Sequence, residues 1–418
     1  MTTASPRIPT APARPALKPL DEALADLLAQ AWPLEGTESV STFDADRRVL
    51  AEDLLSSLDV PAHDNSSMDG YAVRCADLDQ TDVLAVTQRI PAGSSGQALQ
   101  TGAAARIFTG APIPPGADAV VMQEDCEALT DTGRVRVKLK PKPGQWIRRR
   151  AEDVARGALI LQRGERLTPA ALGLAASIGF DRLQVARRPR VALFSTGDEL
   201  VMPGQIAPAD MKPGAVYNSN RFFLRALLLR LGCVVTDLGI VPDRLDATVQ
   251  ALRSASDHHD LILTSGGVSV GEEDHIKPAV QALGELALWL IAMKPGKPFA
   301  YGRVGQSHFI GLPGNPVSSF ITFLLLVRPF LLKLQGAHEV APESIALNAH
   351  FTWAVADKRR EFLRVRRNTL GGLELFENQS SGVLTSTVWG DGLLDNPPGC
   401  SIAPGDLVRF LPFSALLS

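Results

Sequence analysis

The sequence predicts a multidomain chain that combines a central, doubly wound and mostly parallel α/β domain with β-rich domains. Its 418 residues exceed what a single core of ordinary size accommodates. Between residues 189 and 335, strand-like runs alternate with helical patterns, as in βαβ units whose helices cover both faces of a parallel sheet. Elsewhere, short β-like runs separated by glycine and proline are typical of small β domains.

The first 60 residues predict a disordered tail followed by two helices. Residues 1–19 contain five prolines and few apolar side chains, so we expect no fixed structure there. Apolar residues at helical spacing then predict helices from Leu20 to Ala31 and from Ala45 to Leu58. A third helix begins at Thr168-Pro169. We therefore expect residues 20–60 and 147–188 to form a helical linker domain that is split by an insertion.

Residues 61–146 predict that insertion, a small β domain. Asp69-Gly70 is typical of a tight turn into a strand, and neighbouring prolines stiffen a loop that presents Thr109. Asp69 and Thr109 allow two interpretations, as members of a functional site or as turn formers only. The charges between Ile147 and Asp153 are typical of a solvated ion-pair patch.

The α/β domain is assigned to residues 189–335, and residues 336–418 to a final, β-barrel-like domain. In the α/β domain, the predicted strands are VALFS, CVVTDLGIV, LILTS and LALWLIA. The predicted helices cover residues 219–231, 245–256, 274–283 and 316–334.

Candidate functional residues follow all four predicted strands, at the edge where open α/β sheets bind ligands. The first strand is followed by Thr196, Gly197 and Glu199, and the second by Asp243. The fourth is followed by the KPGKP segment. The third is followed by a glycine-rich loop, SGGVSVGEED, whose candidate residues are Ser265, Gly266, Gly267, Ser269, Gly271 and Asp274.

This glycine-rich loop suits an anion, because glycines let backbone N–H groups approach a ligand closely and serines add hydroxyl donors. Acidic residues follow at once, which suits an anion only when a cation lies between the two. The loop therefore indicates a phosphate held together with a divalent metal. The alternative is a glycine-rich turn before a solvated, acidic helix start. An all-oxygen site favours Mg²⁺, with Zn²⁺ or Mn²⁺ as other possibilities.

Composition and missing motifs exclude several classes. A formal net charge of −3 gives no general attraction to nucleic acid or to an anionic membrane. The longest uncharged apolar run, from Val317 to Val327, is about half of a membrane span. The four cysteines show no CxxC spacing, which fits a cytoplasmic protein. P-loop, GxGxxG, GxSxG and HExxH motifs are absent.

Seven segments spread over most of the chain are SSMDGYAV (66–73), RIFTGAPIPPGADAVVMQE (106–124), IRRRAED (147–153), FSTGDEL (194–200), SGGVSVGEED (265–274), KPGKP (294–298) and GLPGNPVSS (311–319). In their sequences and in their order along the chain they resemble the MoeA family, the molybdopterin molybdenumtransferases. Ala151 stands where the family usually has glycine, and His275-Ile276 replaces a more typical Tyr-Thr. The carboxyl-terminal domain matches less closely.

The resemblance implies a molybdopterin-binding fold in the α/β domain and an enzyme that inserts molybdate into adenylylated molybdopterin, releasing AMP. It also implies a homodimer, in which the α/β domain of one subunit faces the inserted β domain of the other. The molybdopterin adenylyltransferase and acceptor molybdoenzymes are expected partners. Two alternatives are a binding scaffold, as in gephyrin, and the adenylyltransferase itself.

Residue roles also follow from the resemblance. The catalytic or metal-positioning carboxylates are Asp69, Glu199, Asp243 and Asp274. Molybdate is assigned to Lys294, Lys297 and Ser318, with Arg364 and Ser381 as second contacts. The other expected substrate contacts are Thr109, Arg148, Asp153, Thr196, Gly197, Pro313, Asn315 and the glycine-rich loop. For Arg364 and Ser381, a surface arginine and a turn serine are equally open interpretations.

Overall fold

The fold described here is that of a computed structural model covering residues 16–267 and 275–417. Within them the chain forms two compact units. The first unit contains residues 16–38, 47–49 and 186–417, and the second contains residues 39–46 and 50–185.

The helices are, in chain order, α1 Leu20–Ala29, α2 Pro169–Ser177, α3 Asn220–Arg230, α4 Leu245–Ser256, α5 Ile276–Leu283, α6 Pro316–Thr322, α7 Arg328–Leu334, α8 Thr385–Trp389 and α9 Phe413–Leu416. The strands are β1 Thr37–Ser41, β2 Leu54–Leu55, β3 Asn65–Ser66, β4 Gly70–Val73, β5 Val83–Ile90, β6 Ala103–Ile107, β7 Ala119–Met122, β8 Cys126–Leu129, β9 Arg134–Val137, β10 Ile147–Arg148, β11 Leu159–Leu161, β12 Arg182–Ala186, β13 Arg190–Thr196, β14 Leu200–Val201, β15 Val216–Tyr217, β16 Val234–Val241, β17 Leu261–Ser265, β18 Gly284–Leu290, β19 Met293–Lys294, β20 Pro298–Val304, β21 Ser307–Leu312, β22 Ile345–Asn348, β23 Arg360–Arg367, β24 Leu373–Leu375, β25 Gly392–Asn396 and β26 Leu407–Pro412.

The first unit is built on a six-stranded sheet with the order β16-β13-β17-β21-β20-β18. The first four of these strands pair in parallel, and β20 is antiparallel to both of its neighbours. The helices α3 to α7 alternate with these strands, which confirms the predicted α/β fold. Strands β13 and β17 are buried along nearly their whole length, as expected for a sheet covered on both faces.

The β20–β21 hairpin was absent from the sequence prediction. It inserts two strands between β17 and β18, so that β18 lies at the far edge of the sheet. Its turn is formed at Gly305, whose φ of 57° is in the left-handed region. The strand that continues the parallel set beyond β17 is therefore β21, and the predicted fourth strand is not the neighbour of the third.

The run from Pro316 to Leu334 is a continuous helix in which a π-helical turn, Phe323–Val327, joins α6 to α7. Its mean hydropathy of 1.8 and its length would suffice to cross a membrane, but 89% of it is buried inside the protein. This degree of burial is that of a core helix.

The carboxyl-terminal part of the first unit is the predicted β fold. Its sheet has the order β19-β23-β25-β26-β22, with β24 paired to β23. Strand β19 reaches this sheet from the α/β part and pairs in parallel with β23, with Lys294 opposite Glu361. Two short helices, α8 and α9, accompany the sheet.

The second unit contains the predicted small β domain, a six-stranded sheet with the order β7-β4-β6-β5-β9-β8. Strand β4 pairs with both β6 and β7. Asp69 immediately precedes β4, and Thr109 follows the end of β6. The two predicted site residues therefore leave adjacent strands of one sheet.

The predicted helix from Ala45 to Leu58 is wrong. Leu50 and Leu54 are buried as predicted, but Arg47 has a φ of 63° and the backbone pairs with distant segments. The Leu50 N–H donates to the Glu165 carbonyl at 2.9 Å, and the Ser56 N–H donates to the Ala158 carbonyl at 3.0 Å. Tertiary pairing therefore replaces the helical bonds that the apolar spacing suggested.

The helical linker domain of residues 20–60 and 147–188 stays a prediction, and its two described helices belong to different compact units. Helix α1 packs in the main core of the first unit through Leu20, Ala23 and Leu27. Helix α2 belongs to the second unit and begins as predicted, with the Thr168 hydroxyl accepting the Ala171 N–H at 3.2 Å. The predicted tail lies outside the described residues up to residue 15, and the Lys18 N–H donates to the Leu290 carbonyl at 2.7 Å.

His308 is a buried titratable group in the core of the first unit. Its side chain lies 2.8 Å from the Tyr301 hydroxyl, and Phe330 packs edge-on against its ring. Burial lowers the pKa of His308 to about 4 from its usual 6.5. The unfolded chain therefore takes up a proton at a higher pH than the folded chain does.

We predict that this histidine makes the first unit acid-sensitive. Because the folded pKa is the lower one, its stabilising contribution is complete above about pH 6.5 and is lost as the pH falls towards 4. Between pH 7.5 and pH 5, the loss is about 2 kcal/mol. Urea denaturation at both pH values measures the free energy of unfolding. Its decrease from pH 7.5 to pH 5 should be smaller by that amount in His308→Gln than in the unchanged protein. Equal drops in the two proteins would contradict the assignment.

Candidate active site

A cavity of about 780 Å³ opens at the carboxyl-terminal edge of the parallel strands in the first unit. Ser195, Ser265 and Leu312 are register partners across β13, β17 and β21, so the residues after them emerge side by side. Its lining residues are Thr196, Gly197, Glu199, Leu200, Val216, Tyr217, Asn218, Ser219, Asn220, Asp243, Ser265, Gly266, Gly267, Pro298, Pro313, Gly314, Asn315, Pro316, Ser318 and Gly382.

The predicted residues that meet in this cavity come from four chain segments that the fold brings together. They are Thr196, Gly197, Glu199, Asp243, Ser265, Gly266, Gly267, Pro313, Asn315 and Ser318. Ser269, Gly271 and Asp274 lie outside the described residues, so their predicted roles stay predictions.

Glycine is required where β13 and β17 end. Gly266 has a φ of 92°, and a Cβ there would lie 2.9 Å from the Thr196 carbonyl oxygen. Gly197 has a φ of 142°, and a Cβ would lie 2.6 Å from a Glu199 carboxylate oxygen. The end of β17 therefore approaches the end of β13 at Gly266 more closely than a side chain allows, while the positive φ of Gly197 favours glycine there. This close approach leaves backbone beside the cavity, as an anion-binding loop requires.

The opposite part of the lining is the turn between β21 and α6. Pro316 occupies the first helical position, and the helix start leaves backbone N–H groups without helical acceptors. Ser318 is 5% exposed and lines the cavity. The Asn220 side-chain amide donates to the Gly314 carbonyl at 2.7 Å and so holds the turn against α3. Helix starts of this kind suit oxyanions.

The described lining is acidic. It contains two carboxylates, Glu199 and Asp243, and no lysine, arginine or histidine. In the described ranges, no group of three His, Cys, Asp or Glu side chains is arranged to hold a metal. Two carboxylates nevertheless fit Mg²⁺, which is usually bound by one or two carboxylates with phosphate oxygens and waters completing its shell. An oxyanion in this cavity needs such a cation, or basic groups from elsewhere.

Lys294 and Lys297 do not line the cavity, and only Pro298 of their segment does. The Lys294 ammonium donates to Glu361 Oε1 at 3.0 Å and lies 3.4 Å from Asp357 Oδ2. Lys297 is exposed. The segment follows β18, which β21 and β20 separate from β17 in the sheet.

Arg364 is a buried cation close to the same cavity. It is 1% exposed and donates to the Ser386 hydroxyl and to the Phe362 and Ser380 carbonyls, at 3.1–3.2 Å. Burial lowers the pKa of Arg364 to about 10, so the guanidinium remains charged at neutral pH. Among the described residues no carboxylate pairs with it. The interpretation as a surface strand arginine is therefore wrong.

Ser381 lies beside Arg364 and next to the start of α6. Its carbonyl accepts the Val317 N–H at 3.0 Å, and the following residue, Gly382, lines the cavity. The loop after β24 thus contacts Arg364 through the Ser380 carbonyl and the start of α6 through the Ser381 carbonyl.

Asp69 and Thr109 form a hydrogen-bonded pair in the second unit. The Thr109 N–H and hydroxyl each donate to Asp69 Oδ1 at 2.8 Å. The backbone donor, followed by the hydroxyl, holds the pKa of the Asp69 carboxyl below its usual value of 3.8. Asp69 is therefore an ionised carboxylate near neutral pH, on a solvent-facing edge of the β sheet.

In the segment from Ile147 to Asp153, two of the three arginines are engaged in ion pairs. Arg149 pairs with Asp64 and Arg150 with Asp59, as the interpretation as an ion-pair patch requires. Arg148 is exposed and has no ion pair within residues 16–267 and 275–417. The Asp153 N–H donates to the Val60 carbonyl at 3.0 Å, and its side chain is exposed.

Sequence analysis missed Tyr217, Asn218, Asn220 and Gly382 as lining residues. The first three stand before and at the start of α3, in the YNSN segment, where two asparagines directly precede an apolar helix. Polar residues at such a strand-to-helix turn are a sequence pattern from which these three lining residues could have been predicted. Gly382 carried no signal, because it reaches the cavity from a different part of the fold.

Comparison with known proteins gives three family matches along the chain. The MoeA N-terminal region (domain I and II) matches residues 18–179, a probable molybdopterin binding domain matches residues 192–333, and the MoeA C-terminal region (domain IV) matches residues 346–413.

Among curated relatives, the molybdopterin molybdenumtransferase of Haemophilus influenzae is 44% identical over 318 residues, covering 76% of this chain and 78% of the relative. That of a Nostoc species is 35% identical over 380 residues, covering 87% and 86%. A solved structure of the molybdopterin biosynthesis moeA protein of Pyrococcus horikoshii has a TM-score of 0.82 at 28% identity, covering 95% of this chain and 100% of that one.

We predict that Ala151→Gly stabilises the second unit. Ala151 has a φ of 61°, a conformation that costs an L-residue about 1–2 kcal/mol and costs glycine little. After the entropy that glycine adds to the unfolded chain, we expect a gain of about 0.5–1 kcal/mol in unfolding free energy. Thermal denaturation measures it. Ala155→Gly, four residues away and without a positive φ, is the control and should destabilise.

We further predict that Thr109→Val raises the pKa of Asp69 part of the way to its usual value. The variant removes the hydroxyl donor and keeps the backbone N–H, which is the larger cause of the lowered pKa. NMR titration of the carboxyl carbon measures this shift. Thr132→Val, which removes an exposed hydroxyl bonded to the Leu129 carbonyl, should leave the pKa of Asp69 unchanged. An unchanged pKa in Thr109→Val would refute the role of the hydroxyl.

Proposed function

This chain belongs to the MoeA family of molybdopterin molybdenumtransferases, and from that premise we propose that it inserts molybdate into adenylylated molybdopterin, releasing AMP and forming molybdenum cofactor. This is the final step of molybdenum cofactor biosynthesis. The observation that carries the proposal is the cavity at the sheet edge, where anion-binding glycines and a helix start face two carboxylates. A site that joins two anionic substrates needs both kinds of group.

The glycine-rich strand ends hold the phosphoanhydride in this proposal. Gly267 presents its backbone N–H, whereas the Gly266 N–H already donates to the Leu312 carbonyl at 3.0 Å, and Thr196 and Ser265 add hydroxyl donors. In-line attack on the anhydride by a molybdate oxygen or by water expels AMP, and the freed dithiolene takes molybdenum. The backbone geometry that excludes side chains at Gly197 and Gly266 keeps these donors in place.

Molybdate is proposed to bind where Arg364, Ser381 and Ser318 converge. Arg364 supplies a buried positive charge that lacks a described carboxylate partner, which favours an oxyanion nearby. Lys297 is exposed and is available to the same anion. Lys294 binds the oxyanion in this proposal by releasing its present partners, Glu361 and Asp357.

Glu199 and Asp243 are proposed to hold Mg²⁺, together with Asp274. When bound, the cation supplies positive charge to the phosphoanhydride oxygens and lowers the repulsion between the two substrates. Zn²⁺ and Mn²⁺ are the alternatives, and an all-oxygen donor set favours Mg²⁺ over both.

A homodimer is proposed to complete the site. Asp69, Thr109, Arg148 and Asp153 belong to the β-rich second unit, and we place them opposite the cavity of a second copy of the chain. The exposed Asp69 and Arg148 are suited to such a facing wall, since neither side chain forms an ion pair with the described residues of its own unit. A cytoplasmic location is proposed, with the molybdopterin adenylyltransferase and acceptor molybdoenzymes as partners.

The proposal is tested by incubating the purified protein with adenylylated molybdopterin, molybdate and Mg²⁺. AMP release supports it. ATP consumption would instead favour an adenylyltransferase, and inertness a binding scaffold. The two carboxylates and the intact glycine loop make a scaffold with an eroded site the weaker alternative.

Within this assay we predict that Asp69→Asn lowers the rate of AMP release by at least about 100-fold, because it removes a carboxylate proposed to act in catalysis. Binding of the adenylylated pterin should stay within a few-fold. Asp131→Asn, an exposed carboxylate of the same unit, is the control and should retain full activity. Loss of pterin binding in Asp69→Asn would show that Asp69 has a mainly structural role.

A further inference from the structure

Asn218 occupies a particular place in the cavity wall. It stands between β15 and α3, and its backbone N–H donates to the Val201 carbonyl at 2.9 Å. The residue lines the cavity and is 2% exposed. Its position is therefore fixed by the backbone on both sides.

Only one of the two polar groups in the Asn218 carboxamide has a hydrogen-bond partner among the described residues. Its Oδ1 accepts the Arg221 N–H at 3.2 Å, which decides the orientation of the amide because a nitrogen cannot accept that bond. The Nδ2 group is buried and finds no acceptor among the described residues. Proteins rarely leave a buried amide donor unpaired, and such groups occur where a ligand completes the pairing.

The nearby Asn220 differs from Asn218 in the hydrogen bonding of its side-chain amide. Asn220 also lines the cavity and is 8% exposed, and its Nδ2 donates to the Gly314 carbonyl at 2.7 Å. One asparagine of the pair therefore holds the protein together. The other, Asn218, has a buried Nδ2 group without an acceptor among the described residues.

The expected acceptor is uncharged. The described lining carries the carboxylates of Glu199 and Asp243 and no basic side chain. Arg221, the nearest arginine in sequence, pairs with Asp237 at 2.6 Å. The neutral amide donor of Asn218 matches a ring nitrogen or a ring carbonyl, since the phosphates are already assigned to the glycine-rich strand ends and to the proposed Mg²⁺.

We infer that Asn218 is a specificity-determining residue that donates to an acceptor on a fused nitrogen heterocycle of the substrate. The inference rests on the proposed function, because adenylylated molybdopterin carries two such ring systems, the pterin and the adenine. Rotation about the terminal amide torsion, which is soft, brings the Nδ2 group to the cavity side and gives up the 3.2 Å bond between the Arg221 N–H and Oδ1. The contact selects the organic part of the substrate, and the glycine loop holds its phosphates.

The test compares ligands that share an anion and differ in the ring. AMP is paired with ribose 5-phosphate, and 6-hydroxymethylpterin diphosphate with inorganic diphosphate, and the four dissociation constants are measured by calorimetry. The variants are Asn218→Asp, which keeps an acceptor for the Arg221 N–H, and Asn218→Ser, which adds no charge. Any general effect on anions cancels within each pair. Asn348→Asp, on the exposed strand β22, is the matched control.

We expect the preference for the ring-bearing ligand to fall about tenfold in one pair, and the pair identifies whether the adenine or the pterin is bound. The control should keep the preference of the unchanged protein. An unchanged preference in folded Asn218 variants overturns the inference, as does the absence of any preference in the unchanged protein. AMP release by the unchanged protein, measured separately, decides the proposed function independently of Asn218.

Discussion

Parallel pairing of β13, β17 and β21 is the constraint on which the cavity depends. Because Ser195, Ser265 and Leu312 are aligned across the three strands, the chain leaves the sheet three times at the same height. The close approach of Gly266 to the Thr196 carbonyl, which a Cβ would prevent, is a direct consequence. The geometry of the site thus follows from hydrogen bonds within the sheet, and the loops add the chemical groups.

Charge is distributed unevenly around this cavity. The described lining carries only carboxylates, while the nearest predicted cations have different environments. Lys294 is neutralised by Glu361 and Asp357, whereas Arg364 is buried among neutral acceptors. A buried guanidinium without a counter-ion costs free energy unless an anion approaches it. Arg364 is therefore better placed than Lys294 to attract an oxyanion in the described structure.

The second unit presents exposed charged side chains at its surface. Asp69 is exposed, and two donors from Thr109 lower the pKa of its carboxyl; Arg149 and Arg150 form ion pairs, whereas Arg148 forms none with the described residues. The strained backbone of Ala151 lies in this same segment. Charges that a fold holds ready without pairing them internally are characteristic of surfaces that act on something else.

The sequence by itself determined the α/β and β domains, the glycine-rich strand ends and half of the residues that meet in the cavity. It could do so because βαβ periodicity and turn chemistry are local, and because parallel strands share one edge. Only the tertiary structure decided the conformation of residues 45–58. Their apolar side chains have helical spacing, but their backbone groups form hydrogen bonds with distant segments. Only the tertiary structure showed that β21 and β20 lie between β17 and β18 in the sheet, that Lys294 pairs with Glu361 and Asp357, and that the loop after β24 contacts both Arg364 and the start of α6. These contacts join residues far apart in the chain, and no local pattern encodes which distant partner a strand or an arginine will find.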